Sequence, residues 1–455
     1  MSSSPAPATL ARADAASAGV PGPWLPMPVQ TALWILMPLP FMRWCRRRHG
    51  EIFRVKLPLA NGGIINVCDP AAVKTVFTGN PDRLRAGEAN VILEPLLGTR
   101  SVLLLDGPEH IRQRKLMLPS FHGERMQRYG AVMTAITERE IATWRAGETM
   151  QLEPRMQRIT LEVILRTVFG LDDGERLIEL RDKLRRLLDA GSSPLTLIPS
   201  MRRSDRAGRP VGTFARLMAL KAQVDSVLYD EIARRRARTD LAERDDILSL
   251  LLQARDEQGQ PMTDQELRDE LMTLLAAGHE TTATSLAWFF ELMLRHPAAM
   301  RRLEDELAHD RTEYLDAAIK ETMRLRPVVP VVVRHLLDPL EVAGHRLPAG
   351  TIVGCNIVLT HRHQPTYDDP ESFRPERFVD KATETYSWIP FGGGIRRCLG
   401  ASFAHYEMRT VIPTILARTR LRTGSPRGER VKRRAVTLVP SRRARVIVDE
   451  VRAAA

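Results

Sequence analysis

Phe391-Gly392-Gly393-Gly394-Ile395-Arg396-Arg397-Cys398-Leu399-Gly400 is the stretch on which the reading of this chain turns. Its glycines allow a tight bend, one cysteine closes it, and the pattern from Ala401 to Leu416 predicts a helix directly afterwards. A thiolate at a helix N-terminus is favoured, because unsatisfied N–H groups and the helix dipole stabilise negative charge there. Such a cysteine is an activated nucleophile or a metal ligand. A buried inert cysteine would need neither the glycines nor Arg396. The other three cysteines, Cys45, Cys68 and Cys355, show no C-x-x-C spacing, which argues against a disulfide framework or a structural zinc site and for a reducing, cytoplasmic compartment.

Around this loop lie 455 residues, 44% hydrophobic and 27% charged, a balance that excludes a disordered, collagenous or coiled-coil chain. Lys+Arg 67 against Asp+Glu 55 gives a net charge of +12. The arginines alternate with acids, as in Glu138-Arg139-Glu140, the pattern of a solvated helix face and not of a nucleic-acid patch. No nucleic-acid partner is expected; an acidic protein partner is. Residues 24–44 are largely apolar, but Pro26, Pro28, Pro38 and Pro40 interrupt them, and no proline-free stretch reaches the roughly 20 residues of a spanning helix. Neither a transmembrane segment nor a signal peptide is expected. Peripheral contact with a membrane surface stays open.

Residues 1–23, rich in Ser, Ala and Pro, are predicted to be a disordered lead-in to a single domain over 24–455. Asn61-Gly62 between apolar runs predicts a hairpin over 52–67. From Pro70 to Arg326 apolar residues recur at three and four, so this half is helical. The longest helix is predicted over 264–295. Thr263 and Glu266 form a capping box, Pro297 marks the stop, and the length, roughly 48 Å, makes it central. Its middle, Ala276-Ala277-Gly278-His279-Glu280-Thr281-Thr282, places a glycine, an acid and two β-branched residues where propensity prefers Leu or Ala, which suggests function.

The cysteine loop resembles that of the cytochrome P450 family, F-x-x-G-x-R-x-C-x-G, with Phe391, Gly394, Arg396, Cys398 and Gly400 on its fixed positions. The resemblance implies a mainly α fold with a minor β region, and heme b (iron protoporphyrin IX) held between the central helix and the cysteine-loop helix. It makes Cys398 the axial thiolate on iron, sets Phe391 near the sulfur and assigns Arg396 to a haem propionate. A thiolate ligand pushes electron density onto iron and favours O–O cleavage.

Other motifs follow in family order. Glu321-Thr322-Met323-Arg324 matches E-x-x-R, and Arg377 completes its buried ion-pair triad; the same spacing recurs at Glu51 and Arg54 and at Glu109 and Arg112, so position decides. His110 and Arg114 match the H-x-x-x-R propionate clamp, and Arg334 resembles the strand arginine that meets a propionate. Two carboxylates buried with an apolar macrocycle demand such cations. Residues 277–282 fit A/G-G-x-D/E-T-T. Glu280 and Thr281 thus resemble the acid and alcohol that relay protons during O–O scission, and Gly278 leaves room for the backbone to approach the haem.

The connection between Glu306 and Thr312 is shorter than is usual in the family, which bears on the surface where a redox partner would dock. The chain carries no flavin or nicotinamide fingerprint, so electrons are expected from a separate ferredoxin and its reductase, steered by Arg112, Lys115, Arg125 and Arg397. Residues 91–105, the helix near Ala277 and residues 328–333 are expected to line an aliphatic pocket for a lipid, terpenoid, steroid or polyketide. The expected activity is O2- and NAD(P)H-dependent hydroxylation or a related oxidation. Its rivals are a haem-thiolate peroxygenase, isomerase or dehydratase, and a non-catalytic haem sensor.

Overall fold

The computed structural model describes residues 19–453, apart from 59–61, 122–124, 171–173, 193–203, 205–209 and 381–383; the side chains of 125–128 also lie outside the description. Its longer helices are α1 (Met27–Leu36), α2 (Pro38–His49), α3 (Pro70–Thr78), α4 (Gly107–Met117), α5 (Arg125–Ile141), α6 (Leu152–Phe169), α7 (Glu175–Gly191), α8 (Gly212–Arg236), α9 (Asp264–Leu294), α10 (Pro297–Ala308), α11 (Glu313–Leu325) and α12 (Ala401–Arg418). The long central helix is α9. The Glu266 amide donates to Thr263 Oγ1 at 3.2 Å while Glu266 Oε2 accepts from the Thr263 amide at 2.7 Å, the reciprocal cap that the sequence predicts. Apolar side chains bury it on several sides, among them Leu267, Leu271, Leu275, Leu286, Trp288, Phe290 and Met293. A helix apolar nearly all round belongs in a core, and each such side chain contributes about 1.5–3 kcal/mol on burial. Along one flank α9 packs against α6, and its remaining sides meet α8, α11 and α12.

The minor β region is built as the sequence indicates in outline. β1 (Ile52–Val55) and β2 (Ile64–Val67) pair antiparallel, Ile52 with Val67 and Val55 with Ile64. Asn61 of the expected turn lies outside the described residues; Gly62 follows with φ +80°. β2 continues into a sheet of order β1-β2-β8-β5-β3, with β3 Leu84–Arg85, β5 Val332–Leu336 and β8 Ile352–Cys355. Two further short strands, β6 (Leu340–Val342) and β7 (His345–Leu347), pair with each other, and β4 (Thr149–Gln151) joins β12 (Arg445–Val451) and β9 (Thr419–Thr423). β10 (Val431–Arg434) and β11 (Thr437–Pro440) form a hairpin that reaches back to α9, where Trp288 Nε1 donates to the Leu438 carbonyl at 3.2 Å.

One expectation is amended here. The disordered lead-in falls outside the described residues over 1–18, but residues 19–23 are packed. Val20 is buried, and the Arg54 amide donates to the Pro21 carbonyl at 2.8 Å, so the N-terminal segment lies along β1. β8 ends at Cys355, because Asn356 caps a one-turn helix by accepting from the Leu359 amide at 3.1 Å.

Candidate functional site: the cysteine loop and its cation cluster

The loop before α12 is fixed by its own backbone and by its neighbours. The Cys398 amide donates to the Phe391 carbonyl at 3.0 Å, and Gly392 and Gly394 take φ of +68° and +63°, conformations costly for any residue with a Cβ. A side chain at Gly394 would also collide with the Phe77 carbonyl of α3. Phe391 meets Trp388 edge-on at 6.3 Å, and Trp388 Nε1 donates to the Lys320 carbonyl of α11 at 3.1 Å. The loop is thereby clamped between α3 and α11.

Cys398 is reached by solvent but is densely surrounded by protein. Burial raises its thiol above the usual range, and the Gly400 amide with the Arg114 and Arg397 charges offsets only part of this. The balance disfavours a free thiolate nucleophile and suits a metal ligand, since a coordinating metal deprotonates a thiol outright. Among the described residues no cluster of three or more His, Cys, Asp or Glu could hold a metal ion. A metal here must bring its other ligands with it, as iron does in a porphyrin.

The cations that the sequence scatters over almost 290 positions converge beside this loop. His110 and Arg334 are buried, and burial, followed by the charges of Arg396, Arg114 and Arg334, pulls the His110 imidazole down to about 3. It is neutral at physiological pH and retains an N–H to donate. The Arg334 guanidinium lies over the Phe77 ring at 5.7 Å, and its only hydrogen bond among the described residues goes to the adjacent Val333 carbonyl. Arg396 bonds the Val102 carbonyl at 3.1 Å, the Leu105 carbonyl and Asp106. Asp106 is the carboxylate paired with this set, and it also accepts from the amides of Ala86, Gly87 and Glu88 at 3.0 Å each. A buried group so rich in cations fits a ligand with two carboxylates. The two propionates of haem meet that requirement.

On α9, Thr281 Oγ1 donates to the Ala277 carbonyl at 2.7 Å. The Glu280 carboxylate points elsewhere. It accepts from Thr437 Oγ1 at 2.8 Å and lies 3.6 Å from Arg434 Nε, so the β10–β11 hairpin holds it. Arg434 also bonds Glu153 at 2.7 Å and lies 3.7 Å from Asp189, whose side chain is 67% exposed. Sequence reasoning missed Arg434 and Thr437; residues more than 150 positions from Glu280 leave no local signal. Gly278 also meets a neighbouring helix. A Cβ there would lie 3.1 Å from the Ile164 side chain of α6, so a small residue at this position suits the close contact between α6 and α9. Neighbouring His279 is buried, its imidazole pulled down to about 4 by burial first and by Arg434.

Behind the loop, Arg324 and Glu321 are wholly buried and bonded at 2.6 and 2.8 Å, with Arg377 3.6 Å from Glu321. Arg324 also donates to the carbonyls of His361, Pro370 and Ser372. His361, unremarked in the sequence, completes the group. Its Nε2 accepts from the Ile389 amide at 2.8 Å and its Nδ1 faces the Arg324 carbonyl at 3.2 Å, so the neutral ring ties α11 to the segment entering the cysteine loop.

The expected donor surface needs revision. Arg112 bonds Asp256 at 2.6 Å and Glu266 at 2.9 Å, and Lys115 bonds Glu257 at 2.6 Å, so neither is a free cation. Arg125 lies outside the described side chains, and Arg397 is exposed. The short 306–312 connection is a closed turn: Asp310 adopts φ +54°, the Arg311 amide donates to the Glu306 carbonyl at 2.9 Å, and the Glu306 carboxylate accepts from the Tyr314 amide at 3.0 Å. Nothing longer is needed to join α10 to α11.

A helical fold that clamps one cysteine on a glycine loop beside buried cations fits a haem-thiolate protein. The cytochrome P450 family model matches residues 20–447. Cytochrome P450 135B1 of Mycobacterium tuberculosis is 45% identical over 439 residues, 95% of this chain and 92% of that protein. Cytochrome P450 137 of the same species is 39% identical over 88% of this chain and 83% of its own length. The retinoic acid bound cyanobacterial CYP120A1 shares the fold, with a TM-score of 0.81 at 24% identity, covering 94% of this chain and 98% of that one. The chain belongs to the cytochrome P450 family. It is a haem-thiolate monooxygenase that uses O2 and a redox partner to oxidise an organic substrate.

Proposed function

We propose that this monooxygenase hydroxylates, or oxidises in a related way, an apolar molecule of the lipid, terpenoid, steroid or polyketide kind, with electrons from a separate ferredoxin and its reductase. Cys398 serves as the axial ligand, and His110, Arg114, Arg334 and Arg396 bind the propionates. The aliphatic character of the segments assigned to the pocket supports the substrate class: Leu97, Val102, Leu105 and Val328 are buried. The haem, when bound, supplies dioxygen activation. The chain supplies enclosure, orientation and protons. A cytoplasmic location fits the free cysteines, three of which are buried.

The observation that supports the monooxygenase mechanism is the adjacency of Glu280 and Thr281 in α9, the hydroxyl bonded to the Ala277 carbonyl and the acid held by Thr437 and Arg434. Asp189 opens this cluster to solvent, so Glu280 can exchange protons there and turn inward to deliver them. Thr281 fixes where they arrive. Thr281→Ala is expected to keep substrate-induced spectral changes while product per electron pair falls by roughly 10²-fold and hydrogen peroxide rises. Glu280→Gln should slow oxygen consumption itself. Thr281→Ala with unchanged product yield would overturn the relay and favour the peroxygenase or isomerase reading, and no oxygen consumption with any surrogate reductant would favour the sensor.

Arg397, exposed beside the loop, supports an acidic donor docking on the cysteine side. Arg397→Glu is expected to lower the rate of reduction by a ferredoxin roughly tenfold at low salt. The difference should shrink as the Debye length falls from about 10 Å at 0.1 M to about 3 Å at 1 M. A reduction rate indifferent to both charge and salt would place the donor elsewhere.

A further inference from the structure

Helix α1 carries apolar side chains on its outward face, where a soluble protein places polar ones. From Pro21 to Met42 no residue is charged. Inward, α1 is pinned by Gln30, which donates to the Leu25 carbonyl at 2.7 Å and accepts from the Lys56 amide at 2.9 Å, and by Trp34, over whose ring Arg433 stacks at 3.5 Å. Outward, Trp24 is 85% exposed and Leu36 74%, with Met27, Val29 and Met37 between 42% and 50%. Val29, Ala32 and Leu36 fall on the helix face opposite Gln30 and Trp34. Because the inward face is fixed by hydrogen bonds and stacking, the outward face cannot turn in to bury itself.

The elements that adjoin this patch carry exposed bases. Arg47 and Arg48, in the last turn of α2, and Lys432, on the strand β10 beside α1, are exposed and have no carboxylate within 4 Å among the described residues. Arg43 and Arg46 of the same helix are paired, with Glu371 and Glu51. An occupant must therefore be apolar at its centre and anionic at its rim. A second copy of this chain would bring its own Arg47 and Arg48 and a charge of +12 to the same contact. An anionic bilayer supplies both requirements: acyl chains under the helix, lipid phosphates at the arginines. At 10 residues α1 is about 15 Å long, too short to span, and a tryptophan at its end suits the headgroup level.

We propose that α1, with Trp24 and the start of α2, docks this protein in the plane of an anionic phospholipid surface, Arg47, Arg48 and Lys432 contacting the headgroups. The test uses the full-length holoprotein and vesicles of phosphatidylglycerol mixed in equal parts with phosphatidylcholine, against vesicles of phosphatidylcholine alone. Flotation with the mixed vesicles, and a tryptophan emission shift to shorter wavelength on binding, are expected. Leu36→Glu should reduce binding at least tenfold while leaving the haem spectrum unchanged, which shows that the variant is folded. Arg47→Gln with Arg48→Gln should remove the preference for the anionic vesicles, about fivefold per charge. Trp24→Phe should lose most of the emission shift and little of the binding. Absence of flotation with either vesicle, or flotation that Leu36→Glu leaves intact, would overturn the proposal. Concentration-dependent dimerisation abolished by Leu36→Glu, without vesicle binding, would overturn it in favour of a second copy.

Discussion

Cys398→His is expected to leave a folded protein whose reduced carbon monoxide complex no longer shows the long-wavelength Soret band of a thiolate ligand. The loop geometry does not depend on the sulfur: the Phe391 carbonyl accepts from the backbone of residue 398, and Gly394 is held against Phe77. An imidazole can therefore occupy the position and retain haem, but it carries no anionic charge to push onto iron. Oxidation of substrate should fall by more than the roughly 10- to 100-fold that loss of a mere outer-shell partner costs at a metal site. A surviving long-wavelength band would show that another cysteine is the ligand. Cys45, Cys68 and Cys355 are the alternatives, all of them buried and with thiols that burial pushes up.

The second large effect is on stability. Arg324→Met removes a guanidinium that bonds both oxygens of Glu321 and three backbone carbonyls, with neither side chain exposed. Breaking one partner of a buried pair costs about 3–5 kcal/mol, because the other charge is left uncompensated. Against a net stability of about 5–15 kcal/mol that is a large share. Urea unfolding should show the midpoint displaced accordingly, with weaker retention of haem, since the carbonyls released belong to segments leading into the cysteine loop. Arg324→Lys should rescue little, because an ammonium cannot reproduce the planar fork. A variant with an unchanged unfolding midpoint would mean that the network is not a structural keystone.

Parts of this architecture were legible in the residue string. The capping box at Thr263 and Glu266 is a local interaction of adjacent turns, so its sequence signature and its geometry coincide. The strands over 52–67 were readable for the same reason, their pairing being set by neighbours along the chain. The cysteine loop was legible because a positive φ and a close approach to Phe77 leave room for glycine alone. The ion pairs of Arg112 and Lys115 were not. Their acidic partners, at positions 256, 257 and 266, lie more than 140 residues away and carry no mark distinguishing them from other surface acids.

The same division runs through the site. Cys398 stands out in the sequence by its glycine loop and the helix that follows, and His110, Arg114, Arg334 and Arg396 by their resemblance to the family's motifs, which implies an axial thiolate and donors for the haem carboxylates. Where the cations' bonds go came only with tertiary structure, which brings Arg396 to Asp106 and, among the described residues, leaves the Arg334 guanidinium with no hydrogen bond beyond its neighbouring carbonyl. Glu280 and Thr281 were likewise visible as an acid and an alcohol side by side. That the acid is turned toward Thr437 and Arg434, and that Gly278 lies against α6, was decided by packing. Local sequence determines which groups are available, because propensity, capping and chemical type act within a few residues. Which groups meet depends on how the helices close around α9, and that closure is the outcome of burying a whole core at once.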